Sequence, residues 1–125
     1  MITLNNQRLS LTIDPQHGSN MISFQVEKQE LIYCGQTLLQ NHDFTGNFVL
    51  WPFPNRVRNR CYQFNNRQYS LAEVAVPRGN FPLIHGLVRD ETWQFTVGSD
   101  TLTTWIDITP RFRYWQCWPW RSRLT

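Results

Sequence analysis

Tyr62-Gln63-Phe64-Asn65-Asn66-Arg67-Gln68-Tyr69 reads as a hairpin, two short aromatic arms around an Asn-Asn reversal. Asparagine tolerates the left-handed backbone that tight turns need, so this pair marks where the chain folds back. The same grammar extends outward. Leu9, Leu11 and Ile13 alternate with polar residues and end in the turn signal Asp14-Pro15-Gln16-His17-Gly18. Ile22, Phe24 and Val26 alternate up to the polar Glu27-Lys28-Gln29-Glu30, and Leu31-Ile32-Tyr33 is a short apolar run. Trp93, Phe95 and Val97 alternate up to Gly98-Ser99-Asp100, and Leu102, Thr104, Ile106 and Ile108 form the last clear strand. No window sustains a 3.6-residue period. Short alternating runs joined by turn residues predict an all-β chain, a sandwich or a barrel. There is no internal repeat, linker or second domain.

The character changes after Thr109. Residues 110–123 hold three of the six tryptophans, Trp115, Trp118 and Trp120, mixed with arginine and proline and without alternation. The sequence therefore divides at 1–108 and 109–125. The abrupt break favours a stretch translated out of its original frame over an aromatic edge strand, since local inconsistency argues against one evolved fold.

Charge follows the same division. The net charge is +3, yet Arg111, Arg113, Arg121 and Arg123 account for it. Without those four, 8 basic residues face 9 acidic ones. A near-neutral body gives no electrostatic reason to expect nucleic acid as a partner. No apolar run is long enough to span a membrane, and no secretory leader is evident. Cys34, Cys61 and Cys117 are odd in number and irregularly spaced, which predicts reduced packing thiols and a cytoplasmic setting.

Two segments carry candidate chemistry: Leu50-Trp51-Pro52-Phe53-Pro54-Asn55-Arg56-Val57 and Leu83-Ile84-His85-Gly86-Leu87. Arginine offers a rigid fork of donors for neighbouring hydroxyls. Near neutral pH histidine donates to a ring oxygen, or donates to or accepts from a hydroxyl. An Asn-Arg pair at a proline-rich bend with a later His-Gly therefore suits a sugar.

The ordered set resembles the aldose 1-epimerase (mutarotase) family. The match runs through Gly46–Val57, then the hairpin Tyr62–Leu71, then Gly79-Asn80-Phe81-Pro82-Leu83-Ile84-His85-Gly86-Leu87-Val88-Arg89 and Trp93. Gly18-Ser19-Asn20-Met21-Ile22 looks like the opening of the same fold. The resemblance covers roughly 1–108 and implies an antiparallel β-sandwich of the galactose mutarotase-like type, incomplete in this chain. It implies interconversion of the α and β anomers of a free aldose: a carboxylate takes the C1 hydroxyl proton and a histidine acid protonates the ring oxygen. The ring opens, the C1–C2 bond rotates, and the ring closes on the other face. By that resemblance Arg56 binds sugar hydroxyls, Asn55 shapes the pocket, and His85 sits near the ring oxygen in a supporting role. The family's acid histidine, in a His-Pro-Tyr-Phe-like segment, and its late carboxylate base match nothing here. The expected protein is thus carbohydrate-binding but catalytically incomplete, with unpaired strand edges that favour self-association. No cofactor or metal is expected.

Rival readings attach to particular residues. Arg58, Arg60 and Arg67 near Arg56 suggest a hexose-phosphate pocket, and Arg56, Arg58 and Arg60 would share a face if they lay in a strand, although solvated hairpin arginines are commoner. His85 with Asp90 or Glu91 would make a short active epimerase, but the acidic pair reads first as a solvated turn. His17, His42 and His85 lack metal-ligand spacing. The aromatic and basic residues after 109 suggest a non-enzymatic contact surface for rings or bases.

Overall fold

The computed structural model describes residues 1–76 and 82–125. The Gly79-Asn80-Phe81 part of the resemblance lies outside them. The described chain is almost wholly antiparallel β. Strands β1 (Ile2–Asn5), β2 (Leu9–Asp14), β3 (Asn20–Val26) and β4 (Gln29–Glu30) form a meander in that order. A β-bulge interrupts the β2–β3 register between Thr12 and Ile13. The β3–β4 reversal uses Glu27 and Lys28 at φ 50° and 70°, a tight turn without the Asn or Gly that would announce it.

A five-residue helix, α1 (Gln36–Gln40), follows. It is too short to leave a 3.6-residue period in the sequence. No helix of the described residues is long and apolar enough to cross a membrane.

β5 (Cys61–Phe64) and β6 (Arg67–Ser70) are the expected hairpin. Asn65 and Asn66 sit at φ 46° and 58°, the left-handed pair that a two-residue turn requires. Tyr62 faces Tyr69 across it, their rings stacked 5.2 Å apart. β7 (Gln94–Val97), β8 (Leu102–Ile108) and β9 (Ser122–Leu124) form a third antiparallel sheet with β8 central.

Residues 109–125, expected to stand apart, pack into the fold. Ile106, Asp107 and Ile108 pair with Leu124, Arg123 and Ser122, and Arg123 grips the Asp107 carboxylate through two hydrogen bonds of 2.6 and 2.8 Å. Phe112 and Cys117 join the buried core. Trp118 and Trp120 lie against the Tyr62 and Tyr69 rings at 4.9 Å each, and Tyr62 Oη donates to the Cys117 carbonyl at 2.8 Å. The segment lacks alternation because successive turns, not a strand, deliver its aromatic side chains to the core.

That core holds Leu71, Val74, Leu83, Leu87, Val88, Trp93, Ile106 and Ile108 as well. Leu71, Val88 and Ile108 are fully enclosed, each stabilising by about 1.5–3 kcal/mol through burial. All three cysteines are free thiols, as the sequence predicts.

Candidate functional site

The two motifs, some thirty residues apart, meet across an isolated parallel bridge between Trp51 and Gly86. The Leu87 amide donates to the Trp51 carbonyl at 2.6 Å. Gly86 lies at φ +84°, and a Cβ there would run into the Trp51 carbonyl and its neighbouring backbone atoms. Only glycine lets the strap 85–87 lie this close to the bend, which explains why His85 is followed by one. His85 itself is held at φ +68°.

The imidazole then ties back to the bend. His85 Nδ1 lies 2.8 Å from the Pro54 carbonyl oxygen. A carbonyl only accepts, so Nδ1 carries the proton and donates, leaving Nε2 as the acceptor of the neutral ring. Asn55 Oδ1 accepts from the Arg56 amide at 2.8 Å and folds the bend onto itself. Arg56 is exposed, and its guanidinium bonds to none of the described residues. Tertiary structure thus joins Asn55, Arg56 and His85 in one unit: a free guanidinium on the bend and an oriented imidazole bonded to it.

Over residues 1–125 the sequence matches the family model described as aldose 1-epimerase. The chain belongs to the aldose 1-epimerase family. The match extends through residues 109–125, where the resemblance is expected to stop. A putative aldose 1-epimerase from Escherichia coli is similar in structure, with 26% identity and TM-score 0.67, covering 85% of this chain and 35% of that one. A Synechocystis protein superposes at TM-score 0.75 with 15% identity, covering 98% and 41%. A galactose mutarotase-like protein from Clostridium acetobutylicum gives 0.66 with 14% identity, covering 97% and 39%. No curated protein matches the chain. This aldose 1-epimerase family chain therefore spans 35–41% of the length of these solved structures and has their antiparallel galactose mutarotase-like fold over that part.

The other arginines of this family member do not line up as a strand would place them. Arg58–Arg60 is a 3-10 turn in which Asn59 and Arg60 take φ 54° and 50°. Arg60 turns inward, and its Nη2 donates to the carbonyls of Leu71 (3.1 Å) and Val74. The three-arginine phosphate face thus loses one member to a structural role.

Asp90 and Glu91 differ from each other. Asp90 is exposed on a turn, bonded to Arg89 at 2.7 Å and 3.4 Å from His42 Nδ1. Glu91 is partly buried, and desolvation pushes its carboxyl upward against the opposing charge of Arg113, 4.0 Å away. His85 bonds to Pro54 rather than to either carboxylate, so the short-epimerase pairing has no contact among the described residues to rest on.

His17 and His42, far apart in sequence, come within 5.5 Å, each beside an aspartate. No group of three or more metal-ligating side chains forms among the described residues.

Sequence reasoning missed the surroundings of His85. Phe44 meets its ring edge-on at 4.8 Å and Phe48 at 5.7 Å. The Arg89 guanidinium lies over both phenyl rings, at 4.7 and 5.8 Å. Phe44 and Phe48 flank Gly46 four residues apart in an irregular segment, where no periodicity marks them as neighbours of a residue forty positions on.

Proposed function

We propose that Arg56, Asn55 and His85 form the sugar-facing side of an aldose-binding site, and that the reaction served is interconversion of the α and β anomers of a free aldose. The observation that carries this reading is the His85–Pro54 hydrogen bond, which unites the Asn-Arg bend and the His-Gly strap while Arg56 stays available. Membership of the aldose 1-epimerase family supports the substrate class. An arginine fork binds two adjacent hydroxyls, and the acceptor Nε2 of His85 takes a hydrogen bond from a further sugar hydroxyl beside them; it donates to the ring oxygen only when it carries a proton. Anomer exchange also needs a carboxylate on the C1 hydroxyl and an acid on the ring oxygen, working together. By the family resemblance those two groups match no residue among these 125 positions, so this stretch contributes the sugar-binding part of the site. The reading includes a cytoplasmic setting, which the three free thiols support.

NMR titration with D-glucose and D-galactose tests the binding. Wild-type chain is expected to shift at Arg56 and His85, and Arg56→Ala to lose most of that response while keeping its stability within about 0.5 kcal/mol. Undiminished binding by both Arg56→Ala and His85→Ala would refute the site. Glucose 6-phosphate serves as a second titrant. With Arg60 turned inward, it is expected to bind no more tightly than glucose. Polarimetry of fresh α-D-glucose is expected to give the spontaneous rate.

We also propose self-association. Phe95 and Val97 are 49% and 53% exposed on β7, an edge strand. Uncovered apolar residues on an open edge invite pairing with another chain. Sedimentation velocity is expected to show a concentration-dependent increase in mass, and an ideal monomer across the range would count against it.

A further inference from the structure

The ring contacts around His85 form a ladder. Phe44 and Phe48 stack 5.9 Å apart, the His85 ring stands against both, and the Arg89 guanidinium lies over both. Arg89 is largely buried, its side chain only 12% exposed. Its Nε and Nη2 grip Asp90 Oδ2 at 3.2 and 2.7 Å, while its buried Nη1 has no hydrogen-bond partner among the described residues. Burying a cation with one donor unsatisfied is costly, and the negative faces of the phenyl rings offset part of that cost. The same contact fixes the rings in place. Because the two rings wall the imidazole, whatever fixes them limits how His85 can turn.

We propose that Arg89 is a positioning residue for His85, acting through Phe44 and Phe48 to hold the imidazole in the Nδ1–H tautomer on the Pro54 carbonyl. This rests on the reading of His85 as a sugar-site residue. It adds that Nε2, the atom left to meet a substrate, is kept in its acceptor form by a side chain that itself touches no sugar. Without the Arg89 clamp the rings gain freedom, the imidazole swings off the carbonyl, and the Nε2–H tautomer, the one favoured by a free histidine, becomes populated.

The test is the nitrogen-15 spectrum of the histidine side chains in mildly alkaline buffer, with His85 assigned by loss of its signals in His85→Ala. In wild-type chain the Nδ1–H form is expected to dominate by a few-fold, since an intramolecular hydrogen bond of ordinary net strength must first offset the free ring's preference for Nε2–H. Arg89→Met keeps the stem volume and removes the cation; the ratio is expected to fall to near even. Arg89→Lys restores a cation and is expected to recover part of the wild-type ratio, which loss of packing alone would not predict. Phe44→Leu is expected to reproduce the Arg89→Met spectrum should that variant fail to fold. A wild-type His85 already in the Nε2–H form overturns the proposal, as does a folded Arg89→Met or Phe44→Leu chain with an unchanged ratio. Adding D-glucose separates the two readings. A tautomer that depends on Arg89 with no response to sugar leaves the positioning intact and removes the sugar site.

Discussion

The β1–β4 meander and the region from Leu71 to Cys117 solve burial in opposite ways. The meander is the most regular part of the molecule, yet the buried side chains of its strands are the polar Asp14 and Asn20. Among the described residues every buried apolar side chain except Pro15, in the turn after β2, and Leu39 comes from 71–117, much of it outside any strand. Regular hydrogen bonding and core formation are therefore separate achievements here. The meander satisfies its backbone by pairing, whereas the irregular region relies on turns, on the Trp51–Gly86 bridge and on Arg60 reaching in to the Leu71 and Val74 carbonyls, and it contributes His85 to the candidate site.

The contrast is easiest to break at Gly86. Gly86→Val places a branched side chain against the Trp51 carbonyl in a backbone conformation that such residues avoid, and is expected to cost about 4 kcal/mol or more in urea unfolding. A mild effect would mean that bend and strap are not rigidly joined. Next in size is a matched pair. Ile108→Ala in the core is expected to cost about 2–5 kcal/mol, and Leu11→Ala in the meander about 1 kcal/mol or less, because Leu11 is only partly buried. Equal losses would erase the distinction between the regions.

Arg60→Met removes the side-chain donor of the Val74 carbonyl and one of the two donors of the Leu71 carbonyl, which keeps the Val74 amide, and is expected to cost about 1–3 kcal/mol. No change in midpoint would assign that arginine to the surface after all.

Acid should act on the two regions with opposite sign, and more gently. Glu30 accepts from Ser23 Oγ and from the amides of Ile32 and Phe24, which draws its carboxyl down from 4.5 to about 2. Its contribution is present above the unfolded value and is lost as pH falls through the folded one. Protection of the Phe24 and Ile32 amides, measured as exchange relative to the intrinsic rate at each pH, is expected to fall on acidification, and Glu30→Gln to blunt that change. Glu91 is shifted upward by burial, so its penalty is absent below the ordinary carboxylate value of 4.5 and grows as pH rises through the folded value. Glu91→Gln should stabilise the fold slightly at neutral pH, by less than about 1 kcal/mol after solvent screening, and not at all in acid. The same gain at both pH values would show that burial of charge is not its source.

Local chemistry made much of this legible. Alternation at 9–13, 22–26 and 102–108 marked strands, because successive side chains on a strand take opposite faces. Asn65-Asn66 marked its turn because few other residues accept two left-handed conformations in a row. Glu27-Lys28 makes the same kind of turn with no such residue, so pairing of the flanking strands overrides local preference there. The bend and strap were visible as motifs, and the reason for Gly86 is steric and local to their contact.

What the sequence by itself determined is the β class, the hairpin, and the identities of Asn55, Arg56 and His85 as candidates. These depend on neighbours along the chain and on the chemistry of single side chains. Only the tertiary structure decided that Arg60 faces inward, that residues 109–125 join the core, and that Phe44, Phe48 and Arg89 surround His85. Each depends on distant segments converging through turns, where direction changes at every residue and leaves no period to read.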